Sequence, residues 1–175
     1  MKSNTKKVVF GLFLFGLVTI GFAQEKTRKQ IREEKKIEKQ KQTSILVDSK
    51  DFVFVARNAS PQGFRTIDLT TNPNYVKFSP DFIKSEMPFF GRAFSGIGYG
   101  GDGGLKFEGK PQEFTIKKEK KQYLINAVVK GENDVYRLSL SVYFEGSATL
   151  SVISNNRSTI SYNGEIFMPE KKSEQ

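Results

Sequence analysis

The sequence predicts an all-β protein: a single antiparallel domain, barrel-like or sandwich-like, of about 8–10 strands, preceded by a polar helical spacer. Three observations predict it. Apolar and polar residues alternate over long parts of the C-terminal half. Clusters of turn residues recur about every 8–12 positions, which is typical of many short antiparallel strands. The 175 residues include sixteen phenylalanines and no cysteine, so stability must come from an apolar core rather than from disulfides.

Residues 1–23 have the pattern of a cleavable secretory signal peptide. A short basic region precedes 15 largely apolar residues, 8–22, whereas a membrane span needs about 20. Gly21 and Ala23 are the small residues that a signal peptidase reads. We expect cleavage after Ala23, with an uncleaved N-terminal anchor as the alternative. Without a lipoprotein cysteine, the mature chain is expected in the periplasm with no membrane span.

Residues 24–43 are expected to form a charged helical spacer. They contain eight basic and four acidic residues and neither glycine nor proline, a composition that favours helix. Ile31 and Ile37 are the only apolar residues, and a spacing of six suits no amphipathic stripe. The alternative is a basic arm that contacts an anionic lipid surface or an envelope partner. Nucleic acid is not expected as a partner, because the basic residues are not interleaved with aromatics.

Residues 44–169 are expected to form the β domain, followed by a disordered tail at 170–175. Residues 136–144 show the clearest pattern, since every second residue is apolar. The predicted strands are 51–57, 64–69, 75–79, short segments at 105–107 and 114–116, 123–130, 136–144, 148–152 and 160–166. Residues 117–121 should form a charged hairpin tip, and residues 131–134, 145–147 and 155–156 should form turns. Gly164 predicts a bulge within the last strand.

Residues 86–104 hold seven of the fifteen glycines. Either they form a sharply bent strand with Phe89, Phe90 and Phe94 in the core, or they form a loop beside a cleft. In the second case the candidate ligand or partner residues are Phe89, Phe90, Arg92, Tyr99 and Asp102. We also expect Gly91 to need a positive φ.

Two ligand motifs in this glycine-rich segment are rejected. The spacing Gly96-x-Gly98-x-x-Gly101 formally matches a dinucleotide fingerprint, but no parallel strand precedes it and no helix follows. Asp102 alone does not make a calcium loop, which needs several oxygen ligands at fixed intervals. We therefore expect neither a cofactor nor a metal here.

The composition argues against catalysis. The chain has no histidine and no cysteine, which excludes nucleophilic triads built on them and zinc sites that need them. Asp102, Glu108, Glu132 and Glu145 are explained most simply as turn acids. We expect no enzyme activity.

Two segments resemble a known family. Residues 87–107 read MPFFGRAFSGIGYGGDGGLKF, which resembles an L-P-Y-F-G-R-A motif followed by a glycine-rich run. Residues 148–166 read ATLSVISNNRSTISYNGEI, which resembles a closing hairpin with the signature N-R-x-x-I-S-Y-x-G. Together they are similar to domain-of-unknown-function family 4251, small exported proteins of Gram-negative bacteria. Met87 and Phe89 replace the leucine and tyrosine of the motif. The resemblance implies one exported all-β domain and no activity.

Two functions therefore stay open. The first is a non-catalytic structural or interaction protein of the cell envelope, with an envelope protein as partner. The second is a periplasmic binding protein for a lipid or other apolar ligand, held inside a hollow barrel. Inward-facing aromatic residues would read alike in a filled and a hollow barrel.

Overall fold

The computed structural model describes residues 27–94, 103–132 and 134–169; the expected signal peptide and C-terminal tail lie outside them. The chain divides between Lys35 and Lys36 into two compact units. The described residues form one helix, α1 (Arg28–Ser49), and ten strands: β1 (Phe52–Pro61), β2 (Ile67–Asp68), β3 (Tyr75–Ser79), β4 (Phe82–Met87), β5 (Leu105–Gly109), β6 (Pro111–Lys118), β7 (Gln122–Lys130), β8 (Val135–Tyr143), β9 (Ser147–Ser154) and β10 (Ile160–Phe167).

The strands form one antiparallel sheet that curls into a nearly closed barrel. Nine strands follow the order β5-β4-β3-β1-β10-β9-β8-β7-β6, and β2 pairs with β1. The terminal strand β5 lies beside the hairpin that joins β7 to β8, where the Phe107 and Tyr136 rings stack with centroids 4.0 Å apart. The predicted all-β class is confirmed, and the barrel is the form that it takes.

Side chains fill the interior of the barrel. Alternate residues of the long strands other than β6 are buried, as predicted for residues 136–144, where Tyr136, Leu138, Leu140 and Val142 point inward. The largest fully buried side chains include Phe52, Phe54, Phe78 and Tyr162. The Phe52 and Phe78 rings stack with centroids 5.1 Å apart. The aromatic residues thus form a packed core among the described residues.

Helix α1 begins at Arg28, within the expected spacer of residues 24–43, and continues beyond it to Ser49. At its start, the Thr27 hydroxyl accepts a hydrogen bond from Gln30 N and the Gln30 side chain accepts one from Thr27 N, a capping box. The last turns carry Thr43 and Val47, both buried, and Val47 joins the barrel core. Apolar packing therefore prolongs the helix beyond its charged part. No helix in the described parts of the chain is long and apolar enough to cross a membrane.

The strand predicted at residues 64–69 is mostly wrong, because only Ile67 and Asp68 pair with β1. Strand β1 runs on to Pro61, and a turn at Gly63, with φ +79°, leaves Phe64 exposed. The buried Asn74 side chain then replaces strand pairing. Its Oδ1 accepts from Ala56 N at 2.7 Å, and its Nδ2 donates to the carbonyls of Leu69 and Asn72.

Strand β4 is absent from the sequence prediction. Its inward positions are Ile83, Ser85 and Met87, and the serine interrupts the apolar alternation. Ser85 is tolerated in the core because its hydroxyl donates to Leu105 O at 2.8 Å. The bulge expected at Gly164 occurs one strand away, since the register of β1 shifts between Ala56 and Asn58, opposite Gly164.

Candidate functional site

The two family-like segments meet in space. Ala93, just after β4, forms an isolated antiparallel bridge with Arg157 in the turn between β9 and β10. Phe94 N donates to Asn156 O at 2.7 Å, and Ser158 N donates to Arg92 O at 2.8 Å. Arg92 N in turn donates to the Ser158 hydroxyl at 3.0 Å. Segments about 65 residues apart along the chain are thereby held together by backbone pairing.

Arg157 is the centre of this junction. Its guanidinium lies 5.2 Å from the centroid of the Phe89 ring, a cation–π contact. Its Nη1 donates to the carbonyls of Gly103 and Gly104. One side chain therefore connects the beginning and the end of the glycine-rich segment, residues 86–104.

Tyr162 anchors the same junction from inside the barrel. It is fully buried, and its hydroxyl donates to Pro88 O at 2.7 Å. Burial raises the pKa of Tyr162 well above its ordinary value. The phenol therefore stays a neutral donor, and the bend at Pro88 is fixed against β10.

The sequence predicts that Gly91 needs a positive φ, and this prediction is wrong. The described glycines with positive φ are Gly63 and Gly146, and Gly91 does not belong to them. A Cβ on Gly91 would instead lie 2.3 Å from Ser158 Oγ and 2.6 Å from Phe89 Cζ. Close packing of the two segments, and not left-handed backbone, disfavours a side chain there, because Ser158 and Phe89 would have to move aside.

A polar groove of about 480 Å³ lies beside this junction, at the seam between β5 and the β7–β8 hairpin. Its charged lining includes Lys84 and Glu86 of β4, Lys106 and Glu108 of β5, and Asp134 and Arg157 opposite. The buried rings of Phe107 and Tyr136 also contribute. We call it the seam groove.

Ion pairs organise the β4–β5 wall of the seam groove. Lys84 Nζ lies 3.3 Å from Glu86 Oε1 and 3.5 Å from Glu108 Oε2, and Tyr75 Oη donates to Glu86 at 2.8 Å. The tyrosine hydrogen bond, followed by Lys84, lowers the pKa of Glu86, and the bond to Glu86 raises that of Lys84. Both groups therefore remain charged at neutral pH.

Asp134 shapes the opposite wall. Its Oδ1 accepts from Val135 N at 2.7 Å and Asn155 N at 3.0 Å, and its Oδ2 accepts from the Ser154 hydroxyl at 2.5 Å. These bonds dock the β9–β10 turn on the β7–β8 hairpin. Burial, with a smaller contribution from the Asp134 charge, raises the pKa of Tyr136. The wall is a set of satisfied polar groups suited to binding.

The acidic groups of the groove are engaged within the fold. Glu86, Glu108 and Asp134 are each held by ion pairs or hydrogen bonds. Among residues 27–94, 103–132 and 134–169, no group of three or more potential protein ligands could hold a metal ion. Charges of both signs line the groove, so it favours a polar or zwitterionic partner over an apolar one.

The structure describes three of the five candidate residues that the sequence predicts for a ligand or partner site. Phe89 and Phe90 are half-buried and pack against the core, whereas Phe94 is 70% exposed and not a core residue. The Arg92 side chain is exposed, and its backbone makes the contacts to Ser158. Tyr99 and Asp102 lie outside the described residues. The sequence analysis does not name Arg157, Ser158 or Tyr162 as site residues, although the N-R-x-x-I-S-Y signature specifies Arg157 and Tyr162; Ser158 falls at one of its unspecified positions.

The comparisons agree with this architecture. The family described as "Domain of unknown function (DUF4251)" matches residues 34–166, and the chain belongs to it. The chain is also similar to a crystal structure of a DUF4251 family protein from Bacteroides eggerthii, at 18% identity and a TM-score of 0.58. That match covers 75% of this chain and 88% of the other, and it supports the fold alone. No curated protein matches the sequence.

Proposed function

We propose that this protein is a non-catalytic interaction protein of the cell envelope, exported by its N-terminal segment. The seam groove carries the proposal. It is polar and bears charges of both signs, and the two segments through which the chain resembles its family contribute part of its lining, including Lys106, Phe107 and Arg157. The filled interior of the barrel also favours recognition at the outer surface over an apolar ligand held inside.

Export is supported by the basic and then apolar pattern of residues 2–23. N-terminal sequencing of protein recovered from its own envelope should begin at Gln24. Retention of Met1 would contradict export. Native mass spectrometry of the same material should give the mass of the polypeptide alone, and a bound lipid-sized mass would favour the apolar-ligand alternative instead.

Site-specific photo-crosslinking tests the groove. A photo-reactive amino acid at Lys106 should give discrete adducts with envelope protein in intact cells, whereas the same probe at Asp81, on the β3–β4 turn, should not. Adding Glu108→Lys should weaken the adducts, because it reverses one charge of the groove. Asp81→Lys is the matched charge reversal and should leave them unchanged. Equal adducts from both probe positions, or none at Lys106, would refute the proposal.

A further inference from the structure

Two rows of short uncharged side chains cross the outer surface of strands β7, β8, β9, β10 and β1. Residues paired directly across an antiparallel sheet lie on the same face. The register therefore aligns a first row of one amide and four hydroxyls: Asn126, Ser139, Ser151, Ser161 and Ser60. It aligns a second row two residues along the strands: Ser141, Thr149, Asn163 and Asn58. We call these nine residues the hydroxyl–amide face.

The hydroxyl–amide face points away from the core. The residues that alternate with it along the strands, such as Leu138, Leu150 and Tyr162, are buried, whereas every member of the face is at least partly exposed. Its second row is already ordered across three strands. Thr149 Oγ1 donates to Asn163 Oδ1 at 2.9 Å, and Asn163 Nδ2 donates to Asn58 Oδ1 at 3.0 Å.

The composition of this face departs from that of the chain. Charged residues make up 27% of the sequence, whereas none of the nine positions is charged. Charges begin at the margin of the face, where Asp68 pairs with Asn58 and Arg137 pairs with the flanking Ile153. The face spans five strands, or about 20 Å at the usual strand spacing. Two apolar side chains flank it: Tyr143 and Ile153, 40% and 47% exposed, lie two residues beyond Ser141 and Ser151. Depletion of charge is one feature that this patch shares with the centres of binding interfaces.

We propose that the hydroxyl–amide face binds a neutral polysaccharide. Hydroxyl and amide groups both donate and accept hydrogen bonds, as sugar hydroxyls do, so a regular array of them matches a polymer of sugar rings. The flanking Tyr143 and Ile153 can contact the apolar faces of those rings. An anionic partner would gain little, because the nine positions carry no cation and the arginines at the margin are already engaged, Arg57 with Glu165 and Arg137 with Asn155. Protein interfaces are enriched in aromatic residues and arginine and depleted in serine.

Affinity electrophoresis of the purified protein tests this site. Gels contain dextran, mannan or galactan as neutral probes, or dextran sulfate as an anionic one, and mobility is normalised to a gel without polysaccharide. At least one neutral polysaccharide should retard the protein. The double variant Ser139→Lys/Ser151→Lys should weaken this retardation about tenfold or more, since it replaces two hydroxyls by long charged chains.

A matched control adds the same charge elsewhere. Thr71→Lys/Gln42→Lys changes two exposed residues off the face and should keep the retardation. Ser139→Ala/Ser151→Ala adds no charge and should weaken binding a fewfold, which keeps the test usable should the lysine variant unfold.

Several outcomes overturn the inference: no retardation by any neutral polysaccharide, retardation by dextran sulfate alone, or undiminished retardation of both serine variants. Sedimentation supplies another such outcome. If the wild type is a dimer and Ser139→Lys/Ser151→Lys is a monomer, the face is an interface between copies of this chain. The inference extends beyond the proposed function and shares no residue with the seam groove. Adducts formed through Lys106 should therefore be the same in these variants, which separates the two proposals.

Discussion

The seam groove and the hydroxyl–amide face are two outer surfaces of the same barrel, built in different ways. The groove assembles residues from distant segments, such as Arg157 with the Gly103 carbonyl, and its side chains hold those segments together. The face uses neighbouring strands, and backbone pairing positions its short side chains. Groove residues therefore stabilise the fold whatever they bind. Substitutions on the face can separate binding from folding.

Strand β10 links the two surfaces, and Gly164 is its most constrained residue. A Cβ there would lie 2.0 Å from Val55 O and 2.8 Å from Ala56 Cα. These are backbone atoms that cannot move aside cheaply, so Gly164→Val should cost about 3 kcal/mol or more. Urea unfolding measures the loss. Gly103→Ala, with nothing within 4 Å of the added Cβ, should be nearly neutral. An unchanged unfolding midpoint for Gly164→Val would refute the register of β1 and β10.

Arg157→Ala in the groove and Asn163→Ala on the face together compare how much each surface stabilises the fold. It removes two hydrogen bonds and a cation–π contact. We expect a loss of about 2 kcal/mol, or roughly 4–8 °C in Tm for a domain of this size. Asn163→Ala removes two hydrogen bonds between exposed side chains of the face and should cost no more than about 0.5 kcal/mol. Equal losses for the two variants would remove the distinction between anchoring and surface side chains.

The smallest expected effect on the free energy of unfolding comes from the pH dependence of the ion pairs in the groove wall. Contacts with Tyr75 and Lys84 lower the pKa of Glu86 below its ordinary value of 4.5. The unfolded state thus binds the proton more tightly, and the stabilisation is present above pH 4.5 and lost as pH falls through the lower folded pKa. Since the side chain is 44% exposed, the effect is modest.

Urea unfolding of Glu86→Gln checks this sign. The variant should be less stable than the wild type at neutral pH, and the two should converge as the pH falls through the lowered folded pKa of Glu86. The exposed Glu113→Gln on β6 is the matched control and should show little difference from the wild type at neutral or at low pH. A difference in stability between Glu86→Gln and the wild type that persists unchanged at low pH would contradict the lowered pKa of Glu86 in the folded protein.

Local patterns predicted most of the strands. Strand β3 lies at the expected residues, and β7 to β10 lie within a few residues of their predicted ends. The misses have a common cause, which is a polar side chain satisfied by a distant partner. Ser85 interrupts the apolar alternation of β4, and its partner Leu105 O lies 20 residues away along the chain. Near β2, the Asn74 amide bonds to the backbone of Ala56 where a longer strand would otherwise pair. A hydrogen bond of this kind leaves no periodicity in the sequence.

The candidate site was only partly predictable. The glycine-rich segment was identified, and Phe89 does contact Arg157. The sequence predicts only that Arg157 and Tyr162 lie in a closing hairpin. The residues next to an arginine or a tyrosine do not indicate which distant group that side chain contacts. The hydroxyl–amide face was invisible for a related reason. Its serines appear in the sequence as the polar half of an alternation, and only the register aligns them into rows.

The sequence by itself determined the all-β class and the charged helix that precedes it, because alternation, turn residues and helix propensity act over a few neighbouring positions. It did not determine that the aromatic interior is filled, since inward-facing positions have the same pattern in a filled and a hollow barrel. The tertiary structure alone decided how far α1 extends, where the barrel seam lies and which side chains share a surface. Those features depend on pairing between residues many positions apart, and the net free energy of such pairing arises from packing and hydrogen bonds that exist only once the chain has folded.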